Sequence, residues 1–333
     1  MFLFLVFNQP AWADSGHEFA ASQAQIEDYT SAVDSDSVAE SVVPVSLVEA
    51  SSMVTPGMKS DLDVLKDHLF QSLRVDRRCS GVPESHMTTH RITHVLTQDQ
   101  IYRFVAHQGI MPLSPEAVIQ EKVRLWGSSV QEPPLGLDYV DITASWDSEP
   151  QGEADESNIL GGYGELKLAI DDTLIRVPVV QASEERLSYY KAHLLESGDL
   201  FRFETQSQFP LFEMSVGRNY VPAFIMTGKG LYLEYHNEPH YHEPMDPDAG
   251  GVYLLARIIK DELKGQEFVR ISGFKIPFGT AVYSEPWAIH DDATTLGNWR
   301  VGYMNAQVFS TALIRNQAHE RVGIEFFEQV EKF

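Results

Sequence analysis

Three of the chain's twelve histidines stand within seven residues, in the run His236-Asn237-Glu238-Pro239-His240-Tyr241-His242-Glu243-Pro244. In a β-strand, residues two apart project to the same side. A strand here aims His240 and His242 at one point, and His236 and Glu238 bear the same relation. Imidazole nitrogen together with carboxylate oxygen is a donor set for Fe(II), Mn(II), Zn(II), Ni(II) or Cu(II). A further ligand has to come from elsewhere in the chain. His290 is the best placed, entering a strand after the turn at Glu285-Pro286. Asp291 and Asp292 follow it directly. Either could orient an imidazole from outside the ligand shell or act as a general base, and a solvated loop explains them equally well.

Other candidates are weaker. His86, His90 and His94 are four apart, but Thr88, Thr89, Ile92, Thr93 and Val95 favour extended chain and no carboxylate lies nearby. His107 and His193 fall near expected helix ends, where the dipole favours a cation. Cys79 is the single cysteine, so it forms no internal disulfide, and this leans toward a cytoplasmic setting. The chain has no GxSxG, GxxxxGKS/T, HExxH or CxxC signature.

The histidine pattern resembles the cupin superfamily, whose motifs place His-x-His on one strand, an acid soon after, and another His after a Pro-x-Gly turn. His240-Tyr241-His242 matches the pair. Asp246 stands roughly where the family has Glu, and Pro286-Trp287-Ala288-Ile289-His290 resembles the second motif with Ala288 where Gly is usual. The resemblance spans residues 225–310. It implies an antiparallel jelly-roll, or double-stranded β-helix, with a divalent metal on His240, His242 and His290 and a carboxylate from Asp246 or Glu238, while His236 is the alternative ligand. It further implies a small polar substrate, such as a sugar or carboxylate, and pairing into a homodimer through strand edges. Cupins include isomerases, lyases, dioxygenases and non-catalytic ligand-binding modules. The chain also resembles Fe(II)/2-oxoglutarate oxygenases, through His236-Asn237-Glu238, His290 and Arg300. That resemblance implies Glu238 as the carboxylate ligand and Arg300 as the group that binds the 2-oxoglutarate carboxylate. The expected catalytic set is therefore Glu238, Asp291 and Arg300.

The elements that must position these groups are read from periodicity. Ser60 caps a helix with Asp63 completing the box, and Leu62, Leu65, Leu69 and Leu73 recur at helical spacing. Thr97 and Gln100 signal a second helix ending at Gly109. Ser114-Pro115 begins a third, closed by Gly127. Residues 139–143 read as a strand. The stretch 166–180 reads as a β-hairpin turning at Asp171-Asp172, and a helix runs from Ser183 to Gly198. Strands then follow at 201–205, 211–216, 221–227, 230–235, 251–259, 267–276, 280–284, 299–312 and 322–328. The expected class is α+β: an acidic, disordered segment 1–59, a helix-rich region with a hairpin over 60–198, and a cupin-like barrel over 199–330.

Composition limits the partners. The net charge is −23, which argues against nucleic acid or an anionic membrane as the main partner. Residues 1–60 hold eight acids and one base, and residues 127–166 hold nine acids and no Lys or Arg, so both stretches read as solvated. The apolar run Phe2–Phe7 followed by Ala11-Trp12-Ala13 resembles a shortened secretory signal, which leaves a secreted or periplasmic location as the alternative.

Overall fold

The computed structural model describes residues 60–98, 100–113, 123, 130–149, 163–205, 208–261, 263 and 265–328. The described residues cluster as one compact unit. A helix, Asp61–Leu73, opens it, with the Ser60/Asp63 capping box formed in both directions. The strands are, in chain order, β1 (Asp76–Arg78), β2 (His86–Leu96), β3 (Tyr102–Val105), β4 (Gly109–Pro112), β5 (Val140–Asp147), β6 (Gly164–Leu168) and β7 (Leu174–Gln181). They continue with β8 (Ala192–Leu195), β9 (Leu200–Phe201), β10 (Phe209–Val216), β11 (Tyr232–His236), β12 (His240–Pro244), β13 (Gly250–Gly251) and β14 (Tyr253–Asp261). The last are β15 (Gln266–Lys275), β16 (Ala281–Ser284), β17 (Ile289–Asp291), β18 (Thr295–Gly302), β19 (Phe309–Arg315) and β20 (Gly323–Glu328).

These strands form two large sheets and a small one. The first runs β1-β2-β10-β18-β12-β16-β8 with antiparallel pairing throughout. The second runs β14-β17-β11-β19-β6-β5-β15, and pairing of β14 with β15 closes these seven strands into a barrel. β7 and β20 extend it from β15 by parallel pairs. The third is β4-β3-β9. No helix among the described residues is long and apolar enough to cross a membrane.

Strand β12 is buried along its whole length because its two faces meet different cores. Tyr241 packs into a cluster with Phe203, Phe209 and Tyr283. His240 and His242 face the other way, toward Tyr303 and Tyr253 of the main core. Period-two alternation thus separates the imidazoles from Tyr241 and Glu243 by the thickness of a sheet.

Several sequence expectations need correction. The region 60–198 is not helix-rich among its described residues, and its strands interleave with later ones: β2 pairs with β10, β8 with β16, and β6 with β19. The helix expected over 97–109 is replaced by β3 and β4. Tyr102 and Phe104 are buried while Arg103 and Val105 are less so, which is the strand period, and Gly109 sits at φ 88° past the hairpin turn. The helix expected to run from Ser183 to Gly198 is only Glu184–Ser188, capped by Ser183 and followed by β8. The two halves of the expected 166–180 hairpin are both strands, but they pair with other partners rather than with each other. Residues 221–227 are not a strand. Val221–Ile225 is a π-helical turn in which Tyr220 stacks on Phe224 at 5.4 Å. The acidic stretch 127–166 contains β5, where Asp141 accepts two hydrogen bonds from Arg270 at 2.7 and 2.6 Å. Apart from residue 123, the helix expected at 114–127 lies outside the described residues, as does the segment 1–59.

One buried charge makes a testable contribution to this fold. His193 on β8 contacts Glu184 through Nδ1 at 2.9 Å and Glu285 through Nε2 at 2.5 Å. Burial disfavours its cation, but the two carboxylates outweigh burial and raise its pKa above the ordinary value. The stabilisation is therefore complete below about pH 6.5 and is lost as pH rises through the raised folded-state value. Thermal unfolding followed from about pH 6 to 9 should show a falling midpoint. The His193→Gln protein should lose that slope, and an unchanged slope would remove the pair from the account.

Candidate metal centre

The local chain path explains how the histidines meet. β11 belongs to the second sheet and β12 to the first, so the chain crosses between sheets within Asn237-Glu238-Pro239. Proline lacks the N–H needed to continue the strand ladder. The backbone N–H of Trp287 also holds the end of β11, donating to the His236 carbonyl at 2.7 Å. The last residue of one strand, His236, therefore faces the first of the next, His240, with ring centroids 4.6 Å apart. His290 arrives on β17, directly opposite Glu234 of β11. Its ring centroid lies 4.2 Å from that of His240 and 5.1 Å from that of His236.

Glu234, His236, His240 and His290 each offer a ligand atom, and these atoms lie within 4.8 Å of one another. Ligands bound at about 2.1 Å from a common ion are about 3–4 Å apart, so a small contraction closes the set. The ring nitrogens are ready for it. Both nitrogens of His236, Nδ1 of His240 and Nε2 of His290 are buried without a hydrogen-bond partner. Buried polar atoms are ordinarily paired, so four orphans in one place mark a site built for something else. His290 places Nδ1 2.9 Å from the Ala288 carbonyl. A carbonyl only accepts, so Nδ1 carries the proton and Nε2 is left with its lone pair. Thr311 donates to Oε2 of Glu234 at 3.2 Å, and Oε1 lies 3.7 Å from His290 Nε2.

The electrostatics agree. Burial, aided by the neighbouring imidazoles, lowers the pKa of His236 to about 3 and that of His240 well below its ordinary value. Burial also lowers His290 to about 4. All three are neutral, which is the form that binds metal. Burial and the nearby Asp292 raise Glu234 to about 8. A cation at this point would relieve that penalty directly.

His242 stands beside this set, not within it. His240, His242 and Asp292 form a second group within 4.8 Å, but His242 Nε2 and Asp292 Oδ2 are already paired at 3.0 Å. His240 belongs to both groups, and one neutral imidazole has one lone pair to give. The two groups are thus alternatives for a single ion. Burial opposes ionisation of Asp292, but His242 and other nearby charges hold its pKa below the ordinary range.

The remaining expected residues lie elsewhere. Glu238 is buried and accepts from the Thr205 hydroxyl at 2.9 Å. Asp246 sits past the end of β12 and accepts from Asn298 Nδ2 at 2.8 Å. Asp291 alternates away from His290 on β17 and accepts from the Ala293 N–H at 2.9 Å, while burial and Asp292 push its carboxyl pKa well up. Arg300 is on the opposite face of the first sheet, paired with Glu243 at 2.5 Å. In that position it does not face the imidazoles. Among the weaker candidates, His90 bonds Ser215, His94 is kept neutral mainly by burial, and His107 packs on Phe278.

No protein-family model matches this chain, and neither a curated protein nor a solved structure does. The site therefore rests on its own geometry. Glu234 is the candidate ligand that sequence reasoning missed. Its signal was present in Glu234-Tyr235-His236, a strand pair two apart like His240-Tyr241-His242. The forward alternation from His236 to Glu238 runs across the sheet crossing, where it no longer holds.

Proposed function

We propose that this chain is a metal-dependent enzyme of the cupin kind, a jelly-roll protein holding one divalent ion on Glu234, His236, His240 and His290. The observation that carries the reading is the convergence of three neutral, buried imidazoles with orphaned nitrogens on one carboxylate. Three nitrogens and one oxygen suit Fe(II), Mn(II), Ni(II), Zn(II) or Cu(II). A six-coordinate ion would keep two positions for substrate or water, whereas tetrahedral zinc would be closed. A cavity of about 40 Å³ adjoins the ligands, and Glu234, His236, His240 and Asp292 are on its wall. That is room for a few water-sized groups, so its occupant is a very small polar molecule.

The ion would act as a Lewis acid toward a bound oxygen. The chain's own part is to fix the ligands and control protons. Ala288 and Thr311 hold His290 and Glu234 in their binding orientations. Tyr232 lines the same cavity, and burial raises its phenol well above the ordinary pKa, so it can donate a hydrogen bond without ionising. Tyr303, also on the wall, gives its hydroxyl proton to the Leu73 carbonyl at 2.9 Å. Elemental analysis of the purified protein should find one divalent ion per chain. Protein that stays metal-free after exposure to Fe(II), Mn(II), Ni(II) and Zn(II) would end this reading. Bound metal without turnover across small polar substrates would favour a ligand-binding module.

A further inference from the structure

We infer that the cavity beside this centre takes a small carboxylate, with the Arg77 guanidinium as its anchor. The inference deepens the metal-enzyme reading by naming the substrate class, and it rests on that reading for the ion at the far end of the ligand.

Arg77 is the middle residue of β1, the edge strand of the first sheet. Its neighbours Asp76 and Arg78 are exposed and pair with each other at 2.5 Å. Alternation turns Arg77 inward, where it is only 9% exposed and lines the cavity together with Glu234, His236, His240 and Asp292. A buried guanidinium is costly unless paired. Among the described residues Arg77 forms no salt bridge, and its hydrogen bond is a long one, from Nη1 to the Tyr220 hydroxyl at 3.4 Å. A guanidinium has five N–H donors, so this one long bond leaves most of its capacity unused on the cavity wall.

Arg77 acts on the site's own carboxylates only through space, favouring the ionised forms of Glu234 and Asp292. Neither is within ion-pair distance; Asp292 is taken by His242 and Glu234 by Thr311 and His290. With a divalent ion on the ligands, the charged groups of the cavity sum to one positive charge in excess, which calls for an anion. Arginine's planar fork matches a carboxylate through two parallel hydrogen bonds. Much of the remaining cavity wall is apolar, with Val75, Met87, Met214 and Met304 among its residues. The ligand is therefore a short-chain organic acid, its carboxylate on Arg77, its stem along the methionines and its polar end toward the ion.

The test is calorimetric titration of Co(II)-loaded protein with acetate, pyruvate, succinate and 2-oxoglutarate, and with succinamide and pyruvamide as neutral counterparts. The cobalt absorption band is followed in parallel. At least one acid should bind, its amide should not, and Arg77→Gln should weaken that acid by at least about tenfold, with Arg77→Lys losing less. Unfolding midpoint and cobalt content are measured for each variant. If Arg77→Gln does not fold, Arg77→Lys and the acid-against-amide comparison in the unaltered protein still decide. Equal affinity in Arg77→Gln, amides binding as well as acids, or no acid binding to cobalt-loaded protein overturns the inference alone. Failure to load cobalt counts against the metal reading, and acid binding that still depends on Arg77 in metal-free protein would keep the anchor.

Discussion

His240→Ala is expected to abolish stoichiometric metal binding, whereas Asp246→Ala should bind one ion per chain as the wild type does. His240 is the candidate ligand the first sheet contributes to the four-member set, its ring centroid 4.6 Å from that of His236 and 4.2 Å from that of His290. Disturbing an outer partner of a metal ligand typically costs about 10–100-fold in affinity, and removing the ligand itself costs more. The fold should survive, because Nδ1 of His240 is unpartnered and its loss breaks no recorded hydrogen bond there. Asp246 accepts from Asn298 at a turn and belongs to neither ligand group. Metal content after loading and buffer exchange gives the stoichiometry. The thermal midpoint gives a second reading, since an ion at about 100 times its Kd stabilises by about 2.7 kcal/mol. Metal should raise the midpoint of Asp246→Ala and leave that of His240→Ala unmoved. The reverse pattern would restore the expected Asp246 ligand and dismiss His240.

The second large effect is on stability. Arg300→Met should destabilise the protein by about 3–5 kcal/mol, the usual cost of breaking a buried ion pair from one side. Arg300 and Glu243 are cross-strand neighbours on β18 and β12, and Tyr241 donates to the same Glu243 oxygen at 2.8 Å. Gly109 lies against the guanidinium so closely that a Cβ there would fall 2.1 Å from Nη1. With Arg300 gone, Glu243 keeps a buried carboxyl that burial already pushes above its ordinary pKa. The double variant Arg300→Met/Glu243→Gln should recover part of the loss, because the charge is removed with its partner. Denaturant unfolding measures both, and metal content should be unchanged in each. Loss of metal or of 2-oxoglutarate binding at wild-type stability would return Arg300 to the role its spacing suggested.

That spacing shows where sequence reading reached and where it stopped. His236, His240 and His290 were legible because clustered imidazoles in extended chain obey a simple alternation. The face that Arg300 takes was not, since it depends on how β18 registers against β12. Asp171-Asp172 correctly marked a turn between two strands. Their actual partners are β19, β5, β15 and β20, which no local spacing encodes. At Thr97 the capping-box pattern outweighed the alternation of Tyr102, Arg103, Phe104 and Val105, and there the alternation was the better guide. The capping box at Ser60 formed because apolar residues at helical spacing follow it.

The short crossing at Asn237-Glu238-Pro239 has a mechanical consequence. Glu234, His236 and His290 ride on the barrel sheet and His240 on the other, so an ion on all four would rivet two surfaces that otherwise meet by side-chain packing. Shear along that seam would stretch the bond to His240 first and leave the other three intact. Coordination of this one imidazole would then serve as a strain gauge, reporting on the alignment of the sheets as well as on the chemistry beside it.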